Sequence, residues 1–540
     1  MKIKIVILSL LLVSAAVLGA QTVHDPNSEI YQDIERWHVQ GYVREFLPIV
    51  RPYPIPLIDK ILKEVIDNGD AAAQKKASEY QAILAPGSRF FHLGVLGFAQ
   101  GNGSDFSLIG APFVEGLGRI NNLLSISYNL AMYGVTDTNG GRFNVPGTYS
   151  PYVDLIEDTA DIGPIRIRQQ WTSLAAIGKS DLYFQAGLSR TSYGPFYDNG
   201  IVLGPQAPRA GHFAFVFWQP KWSFEILLQI ITATDDLGGN TFFPNKFNVV
   251  QTYSIRPLEN LELGLTQTLT YGGRFEILYL APFSYLFASQ SIFHFDDNAF
   301  LGLYFRWRPF DTFLVKGQVY VDDLSFNGLS SGDSKVKIAA ELGISWAPKE
   351  SILSKLDFDY TAVFPYTYTH WPLPDRDMMY SSESPNYYNY THLGKNIGPD
   401  LDPNSDRISL RTSWNLHPSI GLNFSAYLVR HANASTDPRL IDQGYNNGSI
   451  FDHGTEEPAT VGDGKNILTY GWYLTQGLIG MRIGGTLGIS WTLPTSFGVF
   501  KLFADYGIQY NKNRWGPKQA PQSGVNGFDH FWSIGAQWSW

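Results

Sequence analysis

Along most of this chain hydrophobic and polar residues alternate one for one. In the final stretch Trp532, Ile534, Ala536, Trp538 and Trp540 fall on one parity, and Ser533, Gly535, Gln537 and Ser539 on the other. Strict alternation marks a strand with one apolar and one polar face. The same holds where Val336, Ile338, Ala340, Leu342, Ile344 and Trp346 oppose Lys335, Lys337, Ala339, Glu341, Gly343 and Ser345, and where Leu301, Leu303, Phe305 and Trp307 oppose Gly302, Tyr304, Arg306 and Arg308. Roughly eighteen such stretches run from 89–99 to 528–540. A greasy strand at the chain end would be an aggregation hazard in a water-soluble sheet. A barrel in lipid needs one, because its last strand pairs with its first and turns apolar side chains to hydrocarbon. The pattern predicts an all-β membrane fold: an antiparallel transmembrane β-barrel of about eighteen strands, preceded by a small N-terminal helical region.

The connections support this. Short turns carrying Pro, Asn or Gly, such as 219–221, 256–260, 308–311 and 416–419, alternate with long segments at 136–162, 191–210, 273–298, 365–405 and 432–480. Barrels of the outer membrane have this asymmetry, short on the periplasmic side and long outside. Before the strands, Ile30, Ile34 and Trp37, then Ile58, Ile61, Leu62 and Ile66, repeat at helical spacing. Charged Arg36, Arg44, Lys60 and Lys63 argue against a lipid span. Lys2 and Lys4 ahead of the apolar run Ile5–Leu18, closed by Gly19 and Ala20, read as a secretory signal. The expected division is a signal peptide at 1–20, a periplasmic or lumen-plugging helical region at 21–87, and an outer-membrane barrel at 88–540.

Composition sharpens the picture at three points. The chain has no Cys, which removes disulfides and thiolate metal sites. Its formal charge of −9 becomes −11 without Lys2 and Lys4, a balance that gives no support for nucleic-acid binding. Its aromatic share of 15% nearly equals its charged share of 16%, which suits aromatic girdles at two membrane interfaces. Lumen-phase positions hold charges of both signs, among them Arg166, Arg168, Glu262, Arg306, Arg308, Lys316, Glu341, Asp357, Asp359, Arg407, Arg411, Lys501 and Asp505. Pairing that fills and rigidifies the interior is favoured over a selective path, because no one sign dominates as in a selectivity ring.

The run from Leu182 to Phe217 resembles the Wzi capsule-assembly family of outer-membrane proteins. Its elements here are Gly187, Arg190, Tyr193-Gly194-Pro195, Asn199, Leu203 and Ala207-Pro208, with further echoes at Val321-Asp322-Asp323, at Leu393-Gly394 to Gly398-Pro399-Asp400 leading into Asp406-Arg407, and around Tyr42–Ile66. Tyr193 stands where Trp is common, and 365–405 is longer than the family pattern suggests. The resemblance implies an eighteen-stranded barrel with a periplasmic helical region. It also implies a lectin-like role, binding or organising surface polysaccharide through external loops.

Candidate ligand contacts follow from both lines. Arg190, Tyr193 and Tyr197 lie in the motif, and Asp322 and Asp323 at a strand rim. Trp371, Arg376, Tyr387 and Tyr388 lie in an aromatic loop that also carries His370, Tyr380, Tyr390 and His392. Aromatic faces stack on sugar C–H surfaces while polar groups bind hydroxyls; loop-end residues such as Tyr366 are expected in a membrane-interface collar. Asp400-x-Asp402-x-Asn404-x-Asp406 spaces oxygens like a Ca²⁺ loop, but it lacks the Gly and the bidentate Glu, so an Asx-rich turn is expected. No Gly-x-Ser-x-Gly elbow, His-Glu-x-x-His or phosphate loop occurs. A non-enzymatic, monomeric protein without metal or cofactor is therefore expected. Its partners would be surface polysaccharide, outer-membrane lipid and lipopolysaccharide-type glycolipid, and the barrel-assembly machinery. A porin-like solute channel is the alternative.

Overall fold

The computed structural model describes residues 25–85, 89–102, 105–120, 123–136, 157–197, 199–204, 206–234, 241–295, 297–323, 337–370, 385–432, 450–451, 460–461, 465–466, 478–515 and 521–540. Eighteen long strands close into one antiparallel barrel. They are β1 (Arg89–Asn102), β2 (Asp105–Ile120), β3 (Leu124–Thr136), β4 (Ile165–Gly178), β5 (Leu182–Ser189), β6 (Ala210–Trp218), β7 (Trp222–Thr234), β8 (Phe242–Leu258) and β9 (Leu261–Gly272). The rest are β10 (Asn298–Phe310), β11 (Phe313–Asp323), β12 (Lys337–Trp346), β13 (Leu353–Val363), β14 (Ser405–His417), β15 (Ile420–Ala432), β16 (Ile479–Thr495), β17 (Gly498–Lys512) and β18 (Gly527–Ser539). The expected closure occurs: β18 pairs with β1, Gly535 opposite Phe98 and Ser539 opposite Gly94.

The phase read from the sequence is the phase found. Leu303 is 61% exposed on the outer wall and Ile534 58%, while Tyr304, Arg306 and Glu341, one parity away, are buried. Moving a charge onto the outer face of such a wall costs roughly 2–4 kcal/mol at the bilayer midplane, so a one-residue slip of register is heavily penalised. One strand is unusually short. β5 stops at Ser189 and pairs only with 173–178 of β4; a short arm, Glu157–Ile162, occupies the remaining edge at 165–169. That early stop lets the chain leave the wall.

Among the described residues three helices precede the barrel: α1 (Glu29–Val39), α2 (Ile55–Asn68) and α3 (Ala71–Leu84). Pro54 and Pro56 start α2, where a missing N–H costs nothing. Asp70 caps α3 by accepting the Ala73 N–H at 2.8 Å. Ile30, Ile34 and Trp37 on α1 and Ile58, Ile61 and Leu62 on α2 are buried, and Ile66 packs at the margin. Their apolar faces belong to one cluster with Ala214, Val216, Trp218, Leu227, Val250, Tyr304 and Tyr320 of the inner wall. The helices therefore lie against lumen-facing side chains.

Candidate functional site

Beyond β5 the chain turns into the lumen. Ser192–Tyr193 pairs antiparallel with Val50–Arg51, which joins the first two helices, and the Gly194 N–H donates to the Ile49 carbonyl at 3.1 Å. Gly194 has φ +120°, and a Cβ there would lie 3.2 Å from the Gln318 amide, so the turn needs glycine. Further on, Asn199 Nδ2 donates to Thr361 Oγ1 at 2.7 Å and to Glu341 Oε1 at 3.2 Å. The motif 190–208 is thus a bridge between helices and wall.

Charged wall residues complete that bridge. Glu225 accepts the backbone N–H groups of Ile49 and Val50, at 3.0 and 3.1 Å. Arg306 Nη2 donates to Glu262 at 2.6 Å and to the Leu47 carbonyl at 2.6 Å, while Arg256 meets the other Glu262 oxygen at 2.8 Å. Arg308 donates to the His38 carbonyl at 2.7 Å. Burial alone would raise the Glu35 carboxyl, but the Lys355 and Lys316 ammonium groups, 3.1 and 3.4 Å away, hold it well below the usual carboxylate range. The pairing expected of the interior charges is therefore present, and much of it serves the helices.

From the same end as the 190–208 bridge, the loop after β13 folds inward. Tyr368 OH donates to the Ile201 carbonyl and Tyr390 OH to the Val202 carbonyl, each at 2.6 Å. The two rings sit 5.3 Å apart, beside Phe300 and Tyr320, which stack at 4.9 Å. Tyr366, expected in an interface collar, is instead buried with a left-handed backbone, φ +61°. Inward folding of the loop carries it off the membrane interface.

The candidate ligand residues fall into separate places. Arg190, Tyr193 and Tyr197 are buried at the bridge: Tyr193 OH donates to the Glu225 carbonyl at 3.3 Å, and the Arg51 guanidinium lies 3.1 Å from the centre of the Tyr197 ring. Asp322 is buried and accepts the Tyr368 N–H at 2.6 Å, so it pins the inward loop. Asp323 ends β11 opposite Lys337. Tyr387 and Tyr388 are half-buried at the rim, Tyr387 against Gly272 and Tyr388 with its ring 5.4 Å from His370. Trp371 and Arg376 lie outside the described residues.

A further group at the same end was not singled out from the sequence. On the lumen side of β15–β18, Tyr427 OH donates to Gln509 at 2.9 Å, Gln509 to Asn511 at 2.8 Å and Asn511 to Asp529 at 2.8 Å. Arg514 holds Asp529 with two contacts of 3.0 and 2.8 Å. Arg482 packs 3.4 Å from the Trp515 ring centre. Nearby, the Asp402 carboxyl is pushed up to about 7 by its desolvation and by Asp400, against the pull of Arg482. Strand parity alone puts Arg482, Gln509 and Asn511 in the lumen near the mouth. Within 400–406, Asn404 Nδ2 donates to the Ala432 carbonyl at 2.6 Å, a contact with the end of β15. Ser405 and His431, 2.7 Å apart, are both buried.

These features define a closed antiparallel β-barrel of the outer-membrane type, with a belt of apolar residues outside and an interior packed by its own N-terminal helices and inward-folded loops. Among solved structures the chain is similar to Wzi, described as an outer membrane protein involved in group 1 capsule assembly in Escherichia coli and as a carbohydrate-binding β-barrel, with TM-score 0.57 and 13% identity over 96% of this chain and 99% of that one. Acinetobacter baumannii OccAB2 aligns with TM-score 0.45 and 11% identity over 84% and 98%, and Pseudomonas aeruginosa OprD with 0.41 and 9% over 85% and 97%. No family profile and no curated protein matches the sequence. The barrel fold implied by the motif resemblance is the one found.

Proposed function

We propose that this barrel binds and organises surface polysaccharide at the outer face of the outer membrane, and that it acts by binding rather than catalysis. In this reading the chain is Sec-exported and inserted by the barrel-assembly machinery. Its helices face the periplasm, its long connections leave the barrel at the outer face, and it works as a monomer among lipids and lipopolysaccharide-type glycolipid. The observation that carries the reading is the mouth group. Trp515, Tyr427, Gln509, Asn511, Arg514 and Asp529 bring aromatic surface, amides and fixed charge together beside an interior tied off by the helices. That is sugar-binding chemistry: apolar C–H faces meet rings, and hydroxyls meet paired donors and acceptors. Tyr387 and Tyr388 extend the same end as candidate contacts, and Trp371 and Arg376 are proposed as further contacts from the sequence. Arg190, Tyr193, Tyr197, Asp322 and Asp323 support the platform beneath. The fold likeness to a carbohydrate-binding barrel agrees with this assignment.

Polysaccharide pull-down with purified barrel tests it. Retention should fall at least tenfold in Asn511→Ala/Trp515→Ala. Equal retention by that variant, or none by the parent, overturns the reading. The alternative, a solute channel, draws on the half-exposed lumen residues Lys501 and Asp505. Conductance steps in planar bilayers would favour it.

A further inference from the structure

Between β9 and β10 the chain does not stand above the barrel as an external loop. Residues 273–297, which include α4 (Leu286–Phe293), fold back down the outer wall over β7–β9. Outward-phase Leu228, Val249 and Leu269 are buried beneath them, in contrast to Leu303 on the bare wall beside them. Phe283, near the tip, stacks on Phe224 at 4.8 Å and lies 5.7 Å from Tyr253. Tyr253 is in register with Leu265, about seven residues along β9 from its end at Gly272, so the segment descends roughly 23 Å along the strand.

Two outward-phase positions under this segment are polar, Gln251 and Gln267. A bare amide facing hydrocarbon costs several kcal/mol, and so does an irregular backbone there. Each solves the other's problem. Gln251 Nε2 donates to the Tyr279 carbonyl at 2.8 Å, and Gln267 Nε2 to the Ser284 carbonyl at 2.6 Å. Gln267 Oε1 accepts the Leu286 N–H at 3.0 Å, and Tyr253 OH donates to Ser284 O at 3.2 Å. An Arg274–Asp297 ion pair joins the two ends. The side turned away from the barrel is apolar: Ile277 is 69% exposed, Ile292 68% and Phe283 65%.

We propose that 273–297 is an intramembrane strap whose outer face is covered by lipid acyl chains. Its apolar surface continues the belt formed by Ile230, Leu265 and Leu303, the wall already turned to lipid. The glutamines satisfy the Tyr279 and Ser284 carbonyls and the Leu286 N–H, backbone groups that hydrocarbon would leave without partners. The apolar band of such barrels is about 25 Å tall, which accommodates the strap's descent.

The absence of native Cys makes site-directed spin labelling direct. Phe283→Cys and Ile292→Cys, labelled in phosphatidylcholine vesicles, should match Leu303→Cys in high oxygen and low nickel-chelate accessibility. Val525→Cys at the mouth should show the reverse. Nickel access at Phe283 equal to that at Val525 would place the strap outside the bilayer. Shielding from both reagents would mean a protein cover. Either result overturns the proposal. In a separate measurement, Gln251→Leu/Gln267→Leu should mobilise the Phe283 label while the barrel keeps its heat-modifiable gel shift. An unchanged spectrum there would remove the glutamines from the account. The accessibility measurement uses an intact strap, so it decides the lipid contact even where the double variant does not fold.

Discussion

The inner wall of β7–β12 and that of β15–β17 are made of the same alternating strands, yet they meet different surroundings. On the β7–β12 wall, lumen-facing Glu225, Asn248, Glu262, Arg306, Lys316 and Glu341 are all buried. On the β15–β17 wall below the mouth group, Asn423 is exposed and Lys501 and Asp505 are half-buried. The buried wall receives backbone N–H and C=O groups and Glu35 from the helical segment; its charges exist to anchor something. The other faces open polar space. Charge inside a barrel therefore has two meanings, and what distinguishes them is whether another part of the chain supplies the partner.

If that contrast is right, damage on the buried wall should be severe. The largest effect is expected for Arg306→Ala. It removes the Leu47 contact and leaves Glu262 with the Arg256 ion pair and the Tyr304 hydroxyl, and breaking a buried pair costs about 3–5 kcal/mol. Denaturant unfolding in detergent micelles should show that loss, with the helices becoming protease-sensitive while the barrel stays closed. Gly194→Ala comes next. Its φ of +120° and the nearby Gln318 amide predict a cost of about 1–3 kcal/mol, read by the same unfolding curve.

Much of this was legible in the sequence, for a simple reason. Period-two alternation is imposed on every strand by lipid outside and polar filling inside, so the strands, their phase and the closure of Trp532–Ser539 on β1 could be read directly. The helices were legible through their own period, Ile30, Ile34 and Trp37 at i, i+4 and i+7 marking the face that packs on the inner wall. What could not be read was the path of the long connections. Nothing local tells Tyr368 to fold inward, because its partners are Asp322 and Ile201, far along the chain. Nor does it say that 273–297 lies on the outer wall. Gln251 and Gln267 at apolar-phase positions were the available signal, two polar side chains that lipid would not tolerate uncovered. Arg482, Asn511 and Trp515 converge only once strands and loops are placed together.

Titration sharpens the contrast with smaller effects. Glu35 has a depressed carboxyl, so its stabilisation is present above the ordinary carboxylate range and is lost as pH falls below it. Glu35→Gln should flatten the acid limb of helix release, followed by proteolysis between pH 5 and pH 2. Asp402 has the opposite sign. Its carboxyl, raised to about 7, favours the folded mouth when protonated, and that contribution disappears as pH rises from about 4 to above 7. Asp402→Asn should remove this slope from hydrogen exchange at the mouth and leave the helices' protection unchanged.

The smallest structural effect is expected at Asn423, and it bears most directly on function. Exposed on the open wall, it should tolerate Ala within about 0.5 kcal/mol, because nothing packs against it as the helices pack against Arg306. Asn423→Arg then becomes a probe of passage. A solute path along β15–β17 would run past this side chain, and an added positive charge would change both conductance and ion preference. A barrel whose open wall ends at the tied interior gives no steps with either residue. We expect no steps, with polysaccharide retention unchanged in Asn423→Arg and lost in the mouth variant, so that the open wall is space left by the filling rather than a route through it.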